Sequence, residues 1–277
     1  MQLSCLPVSL YADLSAGRLA LADWFALAAR LGLDGADVSV VHLPSRRPAD
    51  LADLRAQAAE AGVCIPMLVA YTDFTHPDPA YRAAQKDQLL RDIEAAAHLG
   101  ASYIRVTAGQ AHAGVGLEAG IEWAAAGLTS CVAEAAAAGV TLAYENHCKG
   151  YGWTHFDFSQ PAQIFGEILA RTEGSGLQVL FDTANNLALG DDPRAVLAQV
   201  GERLAVVHAS DFRRPGFFEP VVIGTGAAPL AAIFDDLHRM GFDGWLSIEE
   251  ASRTGEAGFV AGVAAVRRLW KEEMVNG

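Results

Sequence analysis

The sequence predicts a closed (β/α)8 barrel, one domain spanning residues 1–277. Three observations carry that expectation. Eight short apolar runs alternate with eight longer stretches of helical periodicity, the mark of repeated strand-helix units. Runs such as LQVLF (177–181) and LAVVH (204–208) are apolar on both faces. Parallel strands lying between a packed interior and covering helices need that pattern, whereas half-exposed antiparallel strands alternate. An open doubly wound sheet would carry a glycine-rich phosphate turn after an early strand. Here the glycine cluster, Ile223-Gly224-Thr225-Gly226, follows the seventh run instead.

In order, strand one is expected over 3–8 and its helix over 20–32, with Trp24, Leu27 and Leu31 on one side and Gly32 as its stop. Strand two is read over 35–41 and its helix over 48–62. Strand three covers 63–70, and the long helix after it starts at Pro79 and ends at Gly100, as prolines and glycines favour. Strand four is 103–107, followed by one alanine-rich helix over 117–139. Strand five is 140–144, with a helix over 160–172; strand six is 177–181, with a helix over 192–200. Strand seven, 204–208, leads through a long loop to a helix over 229–241. Strand eight, 244–248, precedes a helix over 256–271.

A chain of 277 residues, 52% of them hydrophobic, can bury one large core. Its formal net charge of −13 opposes association with phosphate backbones or anionic lipid, so neither a nucleic-acid nor a membrane partner is expected. Cys5, Cys64, Cys131 and Cys148 lie far apart without CxxC spacing, which suggests neither a zinc knuckle nor a disulfide framework. The first fifteen residues lack a basic segment followed by a long apolar run and a cleavage site. The expected location is the cytoplasm.

Chemistry stands where four successive strands end. The stretch VTLAYENHCK (140–149) passes from an apolar run to Glu145, Asn146, His147 and Lys149; LQVLFDTANN ends on Asp182, LAVVHASD contains His208, and GWLSIEE ends on Glu249. In a barrel the carboxyl ends of the strands form one rim, where active sites sit. Three carboxylates gathered in a partly dry cavity repel one another unless a cation neutralises them. Taken singly, each has a plainer reading: Asp182 could cap the next helix, and His208 could be a satisfied core histidine. Together, Glu145, Asp182, His208 and Glu249 point to a divalent metal. Hard oxygen donors with one imidazole suit Mn²⁺, with Mg²⁺ or Co²⁺ as alternatives and Zn²⁺ less suited.

The segments ENH, FDTANN, VVHASD and SIEE, with AAHLGASYIRVTAG before them, resemble the sugar phosphate isomerase/epimerase superfamily. These are the xylose isomerase-like barrels that include ketose 3-epimerases and inosose isomerases and dehydratases. The resemblance covers nearly the whole chain and implies that Glu145, Asp182, His208 and Glu249 are the metal ligands. It also implies that Glu145 and Glu249 transfer the substrate proton, and that Arg213, or Arg214 beside it, orients substrate. Two features depart from the free-ketose epimerases. Asn185 stands three residues after Asp182, where those enzymes usually carry a histidine, and HCKGYGWTH (147–155) differs from their sequence. Barrels of this family often pair, and Trp153, Phe156 and Phe158 are expected to be exposed and available for a homo-oligomer interface.

A metal chelating a carbonyl oxygen and its neighbouring hydroxyl would stabilise the enediolate formed when the adjacent carbon loses a proton. Epimerisation, isomerisation and β-elimination share that step. The expected function is therefore a metal-dependent sugar or cyclitol isomerase or epimerase. The alternative is a lyase, either an inosose dehydratase or an enzyme that cleaves a keto-glycoside, with His147 or Lys149 serving the departing group. Gln110 and Asn185 are candidates to bind hydroxyls, His76 lies on the same rim, and Trp153 and Phe217 could form an apolar wall or lid. A barrel-type endonuclease would need more histidines and a less acidic surface. A non-catalytic sugar-binding barrel would not need the metal.

Overall fold

The computed structural model describes residues 1–276, with side chains through Lys271. Eight strands, β1 (Gln2–Leu6), β2 (Val38–Ser39), β3 (Met67–Val69), β4 (Tyr103–Val106), β5 (Thr141–Glu145), β6 (Gln178–Asp182), β7 (Leu204–Ala209) and β8 (Trp245–Glu249), form one sheet. All pairs are parallel, in the order β1-β8-β7-β6-β5-β4-β3-β2. The sheet nearly closes: Gly35 N–H and Asp37 N–H, just before β2, donate to the Leu3 and Cys5 carbonyls of β1 at 3.2 and 2.9 Å. The helices are α1 (Tyr11–Ser15), α2 (Leu21–Arg30), α3 (Pro48–Ala61), α4 (Pro79–Leu99), α5 (Leu117–Thr129), α6 (Val132–Ala137), α7 (Ala162–Arg171), α8 (Pro193–Val200), α9 (Leu230–Arg239) and α10 (Glu256–Asn276). Among the described residues no helix is long and apolar enough to cross a membrane.

Side-chain alternation sorts each strand into two sets. Leu68, Ile104, Leu142, Phe181 and Val207 face the helices in the large core, while Leu6, Met67, Val69, Ala143, Leu180 and Val206 fill the barrel interior. Glu145, Asp182 and His208 each lie two residues beyond an interior apolar residue, so they continue the inward row at its open end. Register then sets them side by side: Asp182 pairs with His208, and His208 with Ser247, two residues before Glu249.

Three expected elements differ. The helix anticipated over 117–139 is two helices, because Thr129 and Ser130 turn their hydroxyls back onto the Ala125 and Gly127 carbonyls at 2.8 and 2.7 Å; such bonds compete with continuation of the helix. Strands two and three are shorter than read. Pro66 has no N–H to give a ladder, and residues 35 and 64 meet only through an isolated bridge. Beyond Ser39 the chain tightens into a 3₁₀ turn, Val40–His42. Phe158, expected at the surface, is buried with its ring against Gly120 of α5. Phe156 is exposed as expected.

Candidate active site

At the carboxyl ends of β5, β6, β7 and β8, Glu145, Asp182, His208 and Glu249 converge so that one potential ligand atom from each lies within 4.8 Å of all the others. His208 Nδ1 lies between two carboxylates, 2.8 Å from Glu145 Oε1 and 3.1 Å from Glu249 Oε2. Glu145, Asp182 and His208 have no exposed surface, whereas the Glu249 side chain is 26% exposed. Glu249 is accordingly the one of the four that lines the cavity above.

Each side chain is held from behind. Asn146 locks the ends of β5 and β6 together: its Oδ1 accepts from the Asp182 backbone N–H at 2.7 Å and its Nδ2 donates to the Asp182 carbonyl at 2.9 Å. Asp182 Oδ1 accepts from the Ala184 and Asn185 amides and from Ser210 Oγ, at 2.8, 2.7 and 2.8 Å. That oxygen closes the turn which follows, whereas the next α-helix, α8, is capped by Asp192, so Asp182 is not the helix cap that the plainer reading of the sequence expected. Asp182 Oδ2 is buried and accepts nothing. Glu145 Oε2 likewise accepts no hydrogen bond, although Arg105 Nε stands 3.3 Å away. Buried polar atoms in folded proteins are nearly always paired, so two orphaned carboxylate oxygens in one cluster fit a site for a divalent cation.

The electrostatics agree. Burial pushes the Glu145 carboxyl upward, but Arg105 and His208 outweigh it and hold the group down at about 2. Asp182 faces the opposite balance: burial, then the charges of Glu249 and Glu145, push it up to about 8. Burial lowers His208, yet the charge and hydrogen bond of Glu145, aided by Glu249, overcome that and raise it to about 10. Without a metal, the cluster thus balances two carboxylates against Arg105 and an imidazolium, with Asp182 protonated.

Above the cluster opens a cavity of about 600 Å³. His147, Lys149 and Asn185 lie on its wall. His147 is buried, with Nδ1 held 3.1 Å from Asp157 Oδ2, and Lys149 Nζ sits 5.2 Å from the centre of the Phe156 ring. Trp153 also lines the cavity. Gln110, His76 and Arg213 do not. Gln110 ties two loops together, donating to Asp73 Oδ2 at 3.0 Å and accepting from the Thr154 and His155 amides at 2.9 and 3.1 Å. His76 accepts from the Asp78 amide and stacks on Tyr81, centroids 4.1 Å apart. Arg213 is engaged by Glu219 at 2.6 Å, while Arg214 lies over Phe217.

Sequence reasoning missed Arg105, 3% exposed in its side chain, lying against Glu145 and over the Tyr71 ring at 4.5 Å. Its signal was present: an arginine at an inward position of the apolar strand YIRV needs a buried partner. Asp37 was also passed over; it accepts from Ser4 Oγ at 2.9 Å and from Ser247 Oγ beneath His208.

Comparison with known proteins agrees with the geometry. Residues 25–269 match the sequence family described as the xylose isomerase-like TIM barrel. The rhizopine catabolism protein MocC of Rhizobium meliloti is 28% identical over 156 residues, 50% of this chain and 46% of that protein; the match therefore spans less than half of that relative. The D-psicose 3-epimerase of Clostridium cellulolyticum H10, solved with D-tagatose, superposes with a TM-score of 0.72 at 16% identity, over 100% of this chain and 98% of that one. The probable 3-DHS dehydratase AsbF of Bacillus anthracis superposes with a TM-score of 0.75 at 14% identity, over 96% and 99%. At such identities these two structures establish the shared fold.

Proposed function

The chain belongs to the xylose isomerase-like TIM barrels, and from that premise we propose that it is a divalent-metal-dependent enzyme that isomerises or epimerises a sugar or cyclitol, with Glu145, Asp182, His208 and Glu249 as the metal ligands. The observation that carries this reading is the pair of orphaned oxygens, Glu145 Oε2 and Asp182 Oδ2, within a four-residue cluster of ligand type. The donor set favours Mn²⁺, with Mg²⁺ or Co²⁺ as alternatives. When bound, the ion supplies positive charge beside the substrate oxygens on which negative charge develops as a carbon next to the carbonyl loses its proton.

The remaining work falls to the chain's own residues. Glu249 takes the proton, because it alone of the two glutamates faces the cavity. Glu145 is enclosed and held in its ionised form by Arg105, which suits a ligand better than a proton carrier. His147, oriented by Asp157, also lines the cavity and is the group assigned to return a proton. Asn185 and Ser210 offer hydrogen bonds to substrate hydroxyls. The enzyme would work in the cytoplasm as one barrel domain; four free thiols, three of them buried, suit a reducing compartment.

A lyase is the second reading, favoured by the His147–Asp157 pair with Lys149 on the same wall, where a departing oxygen could collect a proton. AsbF, with the same fold, is named a probable dehydratase. Incubating the Mn²⁺-loaded protein with ketoses, inososes and 3-keto-glycosides in D₂O separates the two. Deuterium gain without loss of a group marks isomerisation, and loss of water or of an aglycone marks elimination. Glu249→Gln is expected to slow exchange about 10²–10⁴-fold in protein saturated with Mn²⁺, with Mn²⁺ affinity weakened less than by His208→Ala. Undiminished exchange in the Glu249→Gln protein would remove Glu249 from the mechanism.

A further inference from the structure

We infer that the substrate is a two-part molecule: a sugar or cyclitol head bearing the reacting carbonyl, joined to a planar apolar group held between aromatic side chains at the barrel mouth. The inference rests on the function proposed above and specifies its substrate class.

Size is the first argument. A cavity of about 600 Å³ holds ~20 waters at ~30 Å³ each, and a free hexose displaces only about a third of them. A lone sugar would leave most of the space wet, with little to fix its orientation.

The distribution of chemistry is the second. Arg105, His147, Asn185 and Ser210, the nearly buried polar members of the lining, stand with Glu249 as hydrogen-bonding groups. Aromatic side chains make up much of the remaining lining, alongside Lys149, Asp211, Glu219 and Arg253. Tyr11 and Tyr151 form a T-shaped pair at 5.2 Å, and Trp153, Phe156 and Phe218 also line the cavity, Phe156 meeting Phe218 edge-on at 6.1 Å. Tyr151, Phe156 and Phe218 are each 43% exposed. Large aromatic surface left open to water, gathered at one opening, marks a recognition surface.

The third argument is preorganisation. The aromatics come from the start of α1 and from the loops that follow β5 and β7, and neighbours brace them. Tyr151 Oη lies 3.0 Å from Ser15 Oγ, the Trp153 ring meets His147 at 5.4 Å, and Phe218 meets Phe212 at 5.2 Å. Loops far apart in sequence build one slot. Flat apolar groups fill such a slot well, since stacked and edge-to-face contacts add to simple burial.

The test compares phenyl and methyl 3-keto-β-D-glucopyranoside by calorimetric or ligand-observed NMR titration of the Mn²⁺-loaded protein. Two aromatic contacts predict that the phenyl glycoside binds about tenfold more tightly. The Trp153→Ala/Phe156→Ala protein should lose that preference while its affinity for the methyl glycoside holds. Equal affinity for the two glycosides in the unsubstituted protein overturns the inference, as does failure to bind either. A preference that survives the double substitution overturns it too. Should the double variant not fold, Phe218→Ala, placed on a different loop, provides the same comparison. Mn²⁺ titration followed by EPR on the same samples keeps the two proposals apart: Mn²⁺ uptake without phenyl preference refutes the aromatic slot alone, and phenyl preference without Mn²⁺ uptake supports the slot while refuting the metal site.

Discussion

Loading the site with Mn²⁺ should expel two protons, because the metal-free cluster already carries its compensating charge in that form. Without metal, Glu145 and Glu249 are balanced by Arg105 and a protonated His208, with Asp182 neutral. With Mn²⁺, His208 must be neutral and Asp182 ionised, so three carboxylates face Arg105 and a dication. The net charge of the cluster is the same in both states. Asp182, raised to about 8, and His208, raised to about 10, set the count: about two protons are released at neutral pH, and fewer as the pH passes first the one value and then the other. The sign follows, since the metal-free state binds the protons and raising the pH therefore strengthens Mn²⁺ binding. The apparent association constant should rise more steeply with pH near neutrality, where both protons leave, than above about pH 8, where one does. Calorimetric titration in buffers of different ionisation enthalpy reads the count directly. Release near zero at pH 7, with Mn²⁺ still bound stoichiometrically, would refute the electrostatic account of the cluster.

Arg105→Leu should leave the Glu145 carboxylate buried beside His208 alone. Removing one partner of such a buried pair costs about 3–5 kcal/mol, read as a lowered urea midpoint in the metal-free protein, and Mn²⁺ should restore part of that loss. Gly127→Ala would drive a methyl group into the Phe74 ring packed on α5; overpacking of this kind costs about 1–3 kcal/mol, and a thermal midpoint unchanged from the unsubstituted protein would show that the loop carrying Phe74 yields freely.

Sequence patterns exposed the barrel because its buried parallel strands repeat an apolar signal, and they exposed the four-residue cluster because each member stops an apolar run. Arg105 was harder to find: it sits inside its run rather than at the end, and its pairing with Glu145 depends on register between β4 and β5. The break between α5 and α6 escaped a hydropathy reading because it lies in two hydroxyl hydrogen bonds from Thr129 and Ser130. Gln110 and His76 occupy the expected rim, yet their partners, Asp73 and Tyr81, turn them away from the cavity. That choice depends on loop geometry, which periodicity does not encode. Phe158 shows the same limit, since only the absence of a side chain at Gly120, nearly forty residues earlier, makes room for its ring.

The β1–β2 seam, closed by a few amides from the segment before β2 instead of a full ladder, lies across the barrel from β5 and β6, while β8 stands one strand away from it. Ladders of three to five residue pairs join β3 through β8 and β8 to β1, against two pairs between β2 and β3, so the strands that hold the four donor atoms lie within the continuously paired part of the sheet. The seam can open at the cost of a few amide hydrogen bonds, but Asp37 beside it reaches Ser247 of β8 and Arg105 of β4 reaches Glu145, so movement in the first half is carried to the cluster. Tyr11 and Tyr71, which line the cavity from that half, belong to the same frame, since Tyr71 carries Arg105 over its ring; a change at Tyr71 therefore reaches Glu145 as well as the substrate.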